Sequence, residues 1–188
     1  MLRTVAVRRT IARTKSVFSH EMPQRGLAEG QPGAGWDNRP PMRTRFILIE
    51  TSHAGNVGAA ARALKVMGFD ELVLVKPRWQ NVLRKEETIQ RASGANDVLA
   101  KARVVETLDE ALDGVTHLCA TAMTPRDFGP PTRSPREHFA ELVKPGQGDY
   151  SVAFLFGSER FGMKNEDVYR CHVALSIPTA PDFGSLNL

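Results

Sequence analysis

From Arg45 onward the chain repeats one pattern: a short run of apolar residues, a polar loop, then a stretch with helical spacing. The runs Arg45–Glu50, Glu71–Val75, Val104–Val105, Thr116–Thr121, Val152–Phe156 and Val173–Ile177 read as strands, most of them bounded by proline, glycine or charge. Between them, residues 57–67, 85–91, 108–112 and 164–169 read as helices, the last with Asn165, Glu166 and Asp167 in its first turn, where the helix dipole favours acids. A strand that is apolar at nearly every position has no face to offer to water. The pattern therefore predicts an α/β fold, a mostly parallel sheet flanked by helices, with ligand loops at the carboxyl ends of the strands.

With 188 residues, 41% of them apolar, the chain has material for one domain with a substantial core. Its formal charge of +4 invites a nucleic-acid reading, but the charge is unevenly spread. Residues 1–45 hold 9 Lys/Arg against 3 Asp/Glu, whereas residues 46–188 hold 16 against 18. Bulk charge on the folded part gives no support for RNA binding, so any such contact must come from a local arginine cluster. The two cysteines, Cys119 in an apolar run and Cys171 beside His172, are too few and too differently placed for a disulfide framework or a zinc site. No metal is expected, and a reducing, cytoplasmic setting is the plain reading. No run approaches the roughly 20 apolar residues that span a bilayer, so no membrane partner is expected either.

Residues 1–41 lack apolar periodicity after Phe18 and are rich in glycine and proline, which predicts a disordered basic extension. Residues 1–20 carry Arg, Thr and Ser without an acid, a composition shared with mitochondrial presequences. An unstructured extension is the plainer account. Met42 stands just before the first strand and is taken as the start of the functional domain, residues 42–188. Residues 123–148 are proline-rich, carry Arg126, Arg133 and Arg136, and read as a long functional loop.

Three glycine-containing segments follow strands: Gly55-Asn56-Val57-Gly58, Gly157-Ser158-Glu159-Arg160-Phe161-Gly162, and Gly184-Ser185-Leu186-Asn187. Glycine at such ends lets a backbone approach a ligand closely. The first segment is a poor dinucleotide fingerprint, since its third glycine is missing and no acid ends a second strand at the required distance. Taken with Glu50-Thr51-Ser52-His53-Ala54 before the first segment, Arg62 after it, and Ile177 before the last, the three resemble the successive motifs of SpoU-type methyltransferases of the SPOUT superfamily. The resemblance runs from about Phe46 to the last residue. The Thr-Ser-His-x-Gly-Asn form of the first motif is most similar to tRNA ribose 2′-O-methyltransferases that act on nucleotide 32, in the anticodon loop.

The resemblance implies a SPOUT fold with a C-terminal trefoil knot, S-adenosylmethionine held by the knot loops, a homodimer, and tRNA as substrate. It places the cofactor on Thr121, Ala122, Met123, Gly157, Ile177, Gly184, Ser185 and Leu186, mostly through main-chain groups. It assigns catalysis to Arg62, with Asn56, Glu159, Ser185 and Asn187 shaping the pocket, and RNA contacts to Arg62 and Arg126. In the family the Ser-Leu-Asn-Leu segment opens a long helix. Here it closes the chain at Leu188, so a truncated knot helix, hence a fragment or a non-catalytic module derived from such an enzyme, is the alternative expectation.

Chemistry tempers several of these assignments. A guanidinium with a pKa above about 12 is a poor base, which favours Arg62 as an electrostatic stabiliser of a developing alkoxide. Glu159, between glycines, is expected to satisfy backbone N–H groups rather than to act as a base. His53 is expected to fix its loop by hydrogen bonding, His117 to be a core residue, and His138 and His172 to lie at the surface. Arg133, Arg136 and Arg160 are lesser phosphate candidates, and Trp36 and Trp79 are loop aromatics that nothing selects for stacking.

Overall fold

A computed structural model of the chain describes residues 43–122, 125–143 and 150–179. Its sheet has seven strands: β1 (Arg43–Ile49), β2 (Glu71–Val75), β3 (Arg103–Val105), β4 (His117–Thr121), β5 (Thr132–Arg133), β6 (Ser151–Phe156) and β7 (Val173–Leu175). Their order is β3-β2-β1-β6-β4-β7-β5, and every pairing is parallel. The register sets Ile47 beside Val73 on one side and Leu155 on the other, so the fully buried centre of the sheet lies on β1, β2 and β6. The uninterrupted apolar runs are explained by this placement, because helices cover both faces.

Among the described residues six helices connect the strands: α1 (Ala54–Val66), α2 (Glu86–Ala92), α3 (Asn96–Lys101), α4 (Leu108–Leu112), α5 (Pro135–Leu142) and α6 (Asn165–Tyr169), with a 3-10 turn at Val82–Arg84. On one face Val57, Ala61 and Leu64 of α1 pack with Leu48, Leu72 and Leu74; on the other, Ala111, Met163 and Val168 pack with Ile47, Val73 and Leu155. One charge is buried in this frame. Arg45, 7% exposed, pairs with Glu71 at 2.6 Å and donates to the carbonyls of Ala111 and Asp113 at 2.6 and 2.8 Å, satisfying the open end of α4.

The glycines of the first motif serve a purpose other than the one their sequence position suggests. Gly55 and Gly58 lie inside α1, and a Cβ on Gly58 would stand 2.1 Å from the Thr88 carbonyl oxygen and 2.9 Å from the Ala92 nitrogen. Gly58 lets α1 approach the backbone of α2, while Gly55 leaves room for the Glu87 and Arg91 side chains. Two further segments differ from the sequence expectation. The helix α3 is absent from it, and the long loop expected over residues 123–148 contains β5 and α5. Helix α5 begins at a capping box: the Ser134 hydroxyl accepts from the Glu137 N–H, the Glu137 carboxylate accepts from the Ser134 N–H, and Pro135 occupies the first turn.

Helix α5 also corrects the position of His138, which is 8% exposed rather than at the surface. Its Nε2 lies 2.9 Å from Nε2 of His117 on β4, and the two rings stack at 5.1 Å. His117 is buried as expected, and burial, followed by its histidine neighbours, lowers its pKa to about 4. His172 is exposed, also stacks with His117, at 4.8 Å, and accepts from the Leu118 N–H through Nδ1.

Candidate active site

The centre of the site is a carboxylate. Strand β6 ends at Phe156, and the chain then folds back on itself through paired hydrogen bonds between Ser158 and Gly162. Gly157 permits this turn, since a Cβ there would come within 2.4 Å of the backbone of Gly162 and Met163. The turn carries Glu159 across to the loop after β1, its neighbour in the sheet. There Glu159 accepts four hydrogen bonds, from Thr51 Oγ1 at 2.7 Å, the Ser52 N–H at 2.7 Å, Ser52 Oγ at 2.9 Å and Asn56 Nδ2 at 2.9 Å. Burial alone would raise the pKa of this carboxyl, but the bonds from Ser52, Thr51 and Asn56 together outweigh it and hold the group at about 2. A carboxylate this weakly basic, with its lone pairs occupied, is suited to holding two loops together and unsuited to taking a proton.

Glu50 sets the edge of the same loop. It adopts φ of 50° at the end of β1, its N–H donates to the Val75 carbonyl, and its carboxylate pairs with Lys164 at 2.7 Å. The first two motifs are thus joined twice, through Glu159 and through Lys164. The hydrogen-bonding role expected of His53 falls to these groups instead. His53 is exposed at the N-cap of α1 and makes no side-chain cap bond, because the carboxylate of Glu159 already organises the turn.

The residues assigned to the cofactor occupy the ends of three adjacent strands. Thr121 closes β4, its hydroxyl donating to the Leu155 carbonyl at 2.8 Å, and the Ala122 N–H continues the ladder to Leu175. Gly157 follows β6 and Ile177 follows β7, with the Ile177 side chain 56% exposed. Together they form a ledge of small residues with one exposed apolar side chain, at the ends of β4, β6 and β7, next in the sheet to the β1 end that Glu159 reaches. Met123, Gly184, Ser185, Leu186 and Asn187 lie outside the described residues.

Two arginines stand apart. Arg62 is on α1, about 9 Å along the helix axis from Asn56 by the usual rise of 1.5 Å per residue. It is exposed and has no hydrogen bond or ion pair among the described residues. Arg126 is committed: Nε donates to Asn165 Oδ1 at 2.6 Å and a terminal nitrogen to the Met163 carbonyl at 3.0 Å, tying the segment after β4 to the start of α6. Of the lesser candidates, Arg133 pairs with Glu141, while Arg136 and Arg160 are exposed. Thr51, Ser52 and Lys164 were not singled out in the sequence. Thr51 and Ser52 stand in the first motif, but nothing local says that their partner lies more than 100 residues away.

The chain is similar in sequence and fold to known proteins. The chain is 43% identical over 146 residues to the tRNA (cytidine/uridine/adenosine-2′-O-)-methyltransferase TrmJ of Pseudomonas aeruginosa, a match covering 78% of this chain and 56% of the relative. A probable methyltransferase from Bordetella pertussis superposes with a TM-score of 0.68 at 44% identity, over 77% of this chain and 86% of that one. TrmJ from Z. mobilis ZM4 gives a TM-score of 0.67 at 34% identity, over 77% of this chain and 62% of that one. The chain therefore spans little more than half the length of the curated relative. The SpoU rRNA Methylase family model matches residues 43–188, which include every described element from β1 onward, and the chain belongs to that family.

Proposed function

We propose that this chain is the catalytic part of an S-adenosylmethionine-dependent RNA methyltransferase that modifies a ribose 2′-hydroxyl of tRNA, at nucleotide 32 in the anticodon loop. The observation that carries the reading is the Glu159 cluster. It fuses the loops after β1 and β6 into one rigid rim above the strand ends, as a reaction governed by positioning requires. Membership of the methylase family and the likeness to TrmJ support the reaction class and the tRNA substrate.

Thr121, Ala122, Gly157 and Ile177 fit the cofactor, since a ledge of small residues at strand ends offers main-chain groups to an adenosine and Ile177 offers an apolar surface. When bound, S-adenosylmethionine supplies an activated methyl group on a sulfonium. The remaining work falls to the protein: to hold the ribose oxygen in line, to exclude water, and to stabilise the oxygen as its proton leaves. Arg62 is the group we assign to that last step, as a fixed positive charge beside the reacting oxygen and the adjacent phosphate. Its distance from Asn56 supports a site completed by a second copy of the chain. Val66 and Met67, at the same end of α1, are 76% and 71% exposed, which is the kind of surface a homodimer would cover.

The test is methyl transfer from labelled cofactor to unmodified tRNA, with the position mapped by mass spectrometry of nuclease fragments. We expect a single modified ribose, at nucleotide 32. Arg62→Lys is expected to keep the melting temperature and lose at least tenfold in turnover, because the planar fork is gone. Turnover near that of the unaltered chain would remove Arg62 from the reaction.

A further inference from the structure

Away from the strand ends lies a second cluster that methyl transfer does not use. His117 and Cys119 are two apart on β4 and so share a face of the sheet, and α5 sets His138 against them. One ring nitrogen of each histidine and Cys119 Sγ all lie within 4.8 Å of one another. All three residues are buried, Cys119 completely. Nδ1 of His138 is, among the described residues, a fully buried side-chain nitrogen without a hydrogen-bond partner. A buried ring nitrogen without a partner is costly, and the Nε2 atoms of the two histidines, 2.9 Å apart beside a thiol, form a donor set of the kind metal ions take.

We propose that His117, Cys119 and His138 form a binding site for a soft or borderline d10 cation, Zn2+ or Cu+. Two imidazoles and a thiol suit these ions and suit Mg2+ or Ca2+ poorly. The surroundings agree with a low net charge: Val152, Val173 and Leu175 pack around Cys119, with Phe139, Tyr150 and Phe154 at the margin. On uptake the Cys119 thiol gives its proton to solvent and its sulfur bonds the cation, while both imidazoles bind as neutral donors. A cation there would pin β4, whose end carries Thr121 and Ala122, to α5. The stacked rings of His138, His117 and His172 run from the buried cluster to the exposed His172.

The test uses the full chain, reduced and freed of metal by chelation. Zn2+ is titrated in competition with pyridylazoresorcinol, and Cu+ anaerobically in competition with bicinchoninate. We expect one equivalent of at least one of these ions to be held, with a rise in melting temperature as the free ion exceeds its dissociation constant. Cys119→Ser and His138→Gln should each weaken uptake at least tenfold while the far-ultraviolet circular dichroism stays that of the unaltered chain. Cys171→Ser and His53→Gln, outside the cluster, should leave uptake unchanged. X-ray absorption of the loaded protein separates a specific site from surface binding, since it should show sulfur at about 2.3 Å and nitrogen at about 2.0 Å. Failure of both ions to bind, or uptake that Cys119→Ser and His138→Gln leave intact, would overturn the assignment. Should either variant fail to fold, an absorption spectrum of the unaltered loaded chain without a sulfur neighbour would overturn it equally.

Discussion

At the scale of single residues, Glu159 shows how a carboxylate can tie two loops together while being held too acidic to take a proton. Its four hydrogen bonds all come from donors, so only an ionised carboxylate satisfies them. Glu159→Gln would turn an amide N–H toward a donor and leave part of the cluster unmet. We expect a loss of about 1–3 kcal/mol in urea denaturation, the usual cost of one unsatisfied buried group, with a larger fall in methyl transfer than in tRNA affinity. The same residue sets a pH dependence. Its folded pKa of about 2 lies below the ordinary value of 4.5, so its contribution to stability is complete above pH 4.5 and fades as the pH falls toward 2. Urea midpoints measured from pH 6 to pH 2.5 should decline across that interval, and less steeply in Glu159→Gln.

Helices and strands were legible in the sequence to the extent that their signals are local. Strand β2 and helix α4 carry the very boundaries that their apolar spacing predicts, and β1, β3, β4 and β6 differ by a residue or two. Helix α3 has only six residues, between Gly94 and the start of β3, too few for a period to repeat. Helix α5 was hidden by the prolines around it, although Ser134-Pro135-Arg136-Glu137 is a capping signature present in the sequence. Ser134→Ala should therefore cost about 1 kcal/mol, read from thermal unfolding, because the first turn of α5 loses an N–H acceptor. The glycines of the first motif belong to this scale as well. Gly58→Ala forces a methyl group into the backbone of α2, and we expect a loss of about 1–3 kcal/mol in chemical denaturation. The strain would fall on the packing of α1 and α2, so S-adenosylhomocysteine affinity measured on the folded fraction should change much less than stability.

At the scale of the whole molecule, charge and topology act separately. The excess of Lys/Arg is concentrated in residues 1–45, while the remainder holds slightly more acids than bases. We propose that the methyltransferase domain begins at about Met42. A chain starting there should unfold at an unchanged temperature and bind tRNA with a shallower dependence on salt, each lost phosphate contact reducing the slope by about 0.7–0.9. The sequence by itself determined the alternation of strands and helices, the burial of the sheet on both faces and the family motifs. Each of these is written in consecutive residues, through apolar period, capping and glycine position. Only the tertiary structure decided that Glu159 closes on Thr51, Ser52 and Asn56, that His138 turns inward against His117, and that Gly58 serves a helix contact. Those contacts depend on β6 lying between β1 and β4 and on α5 lying over β4. Such neighbours are chosen by the free energy of packing the whole sheet, which no local stretch of chain encodes.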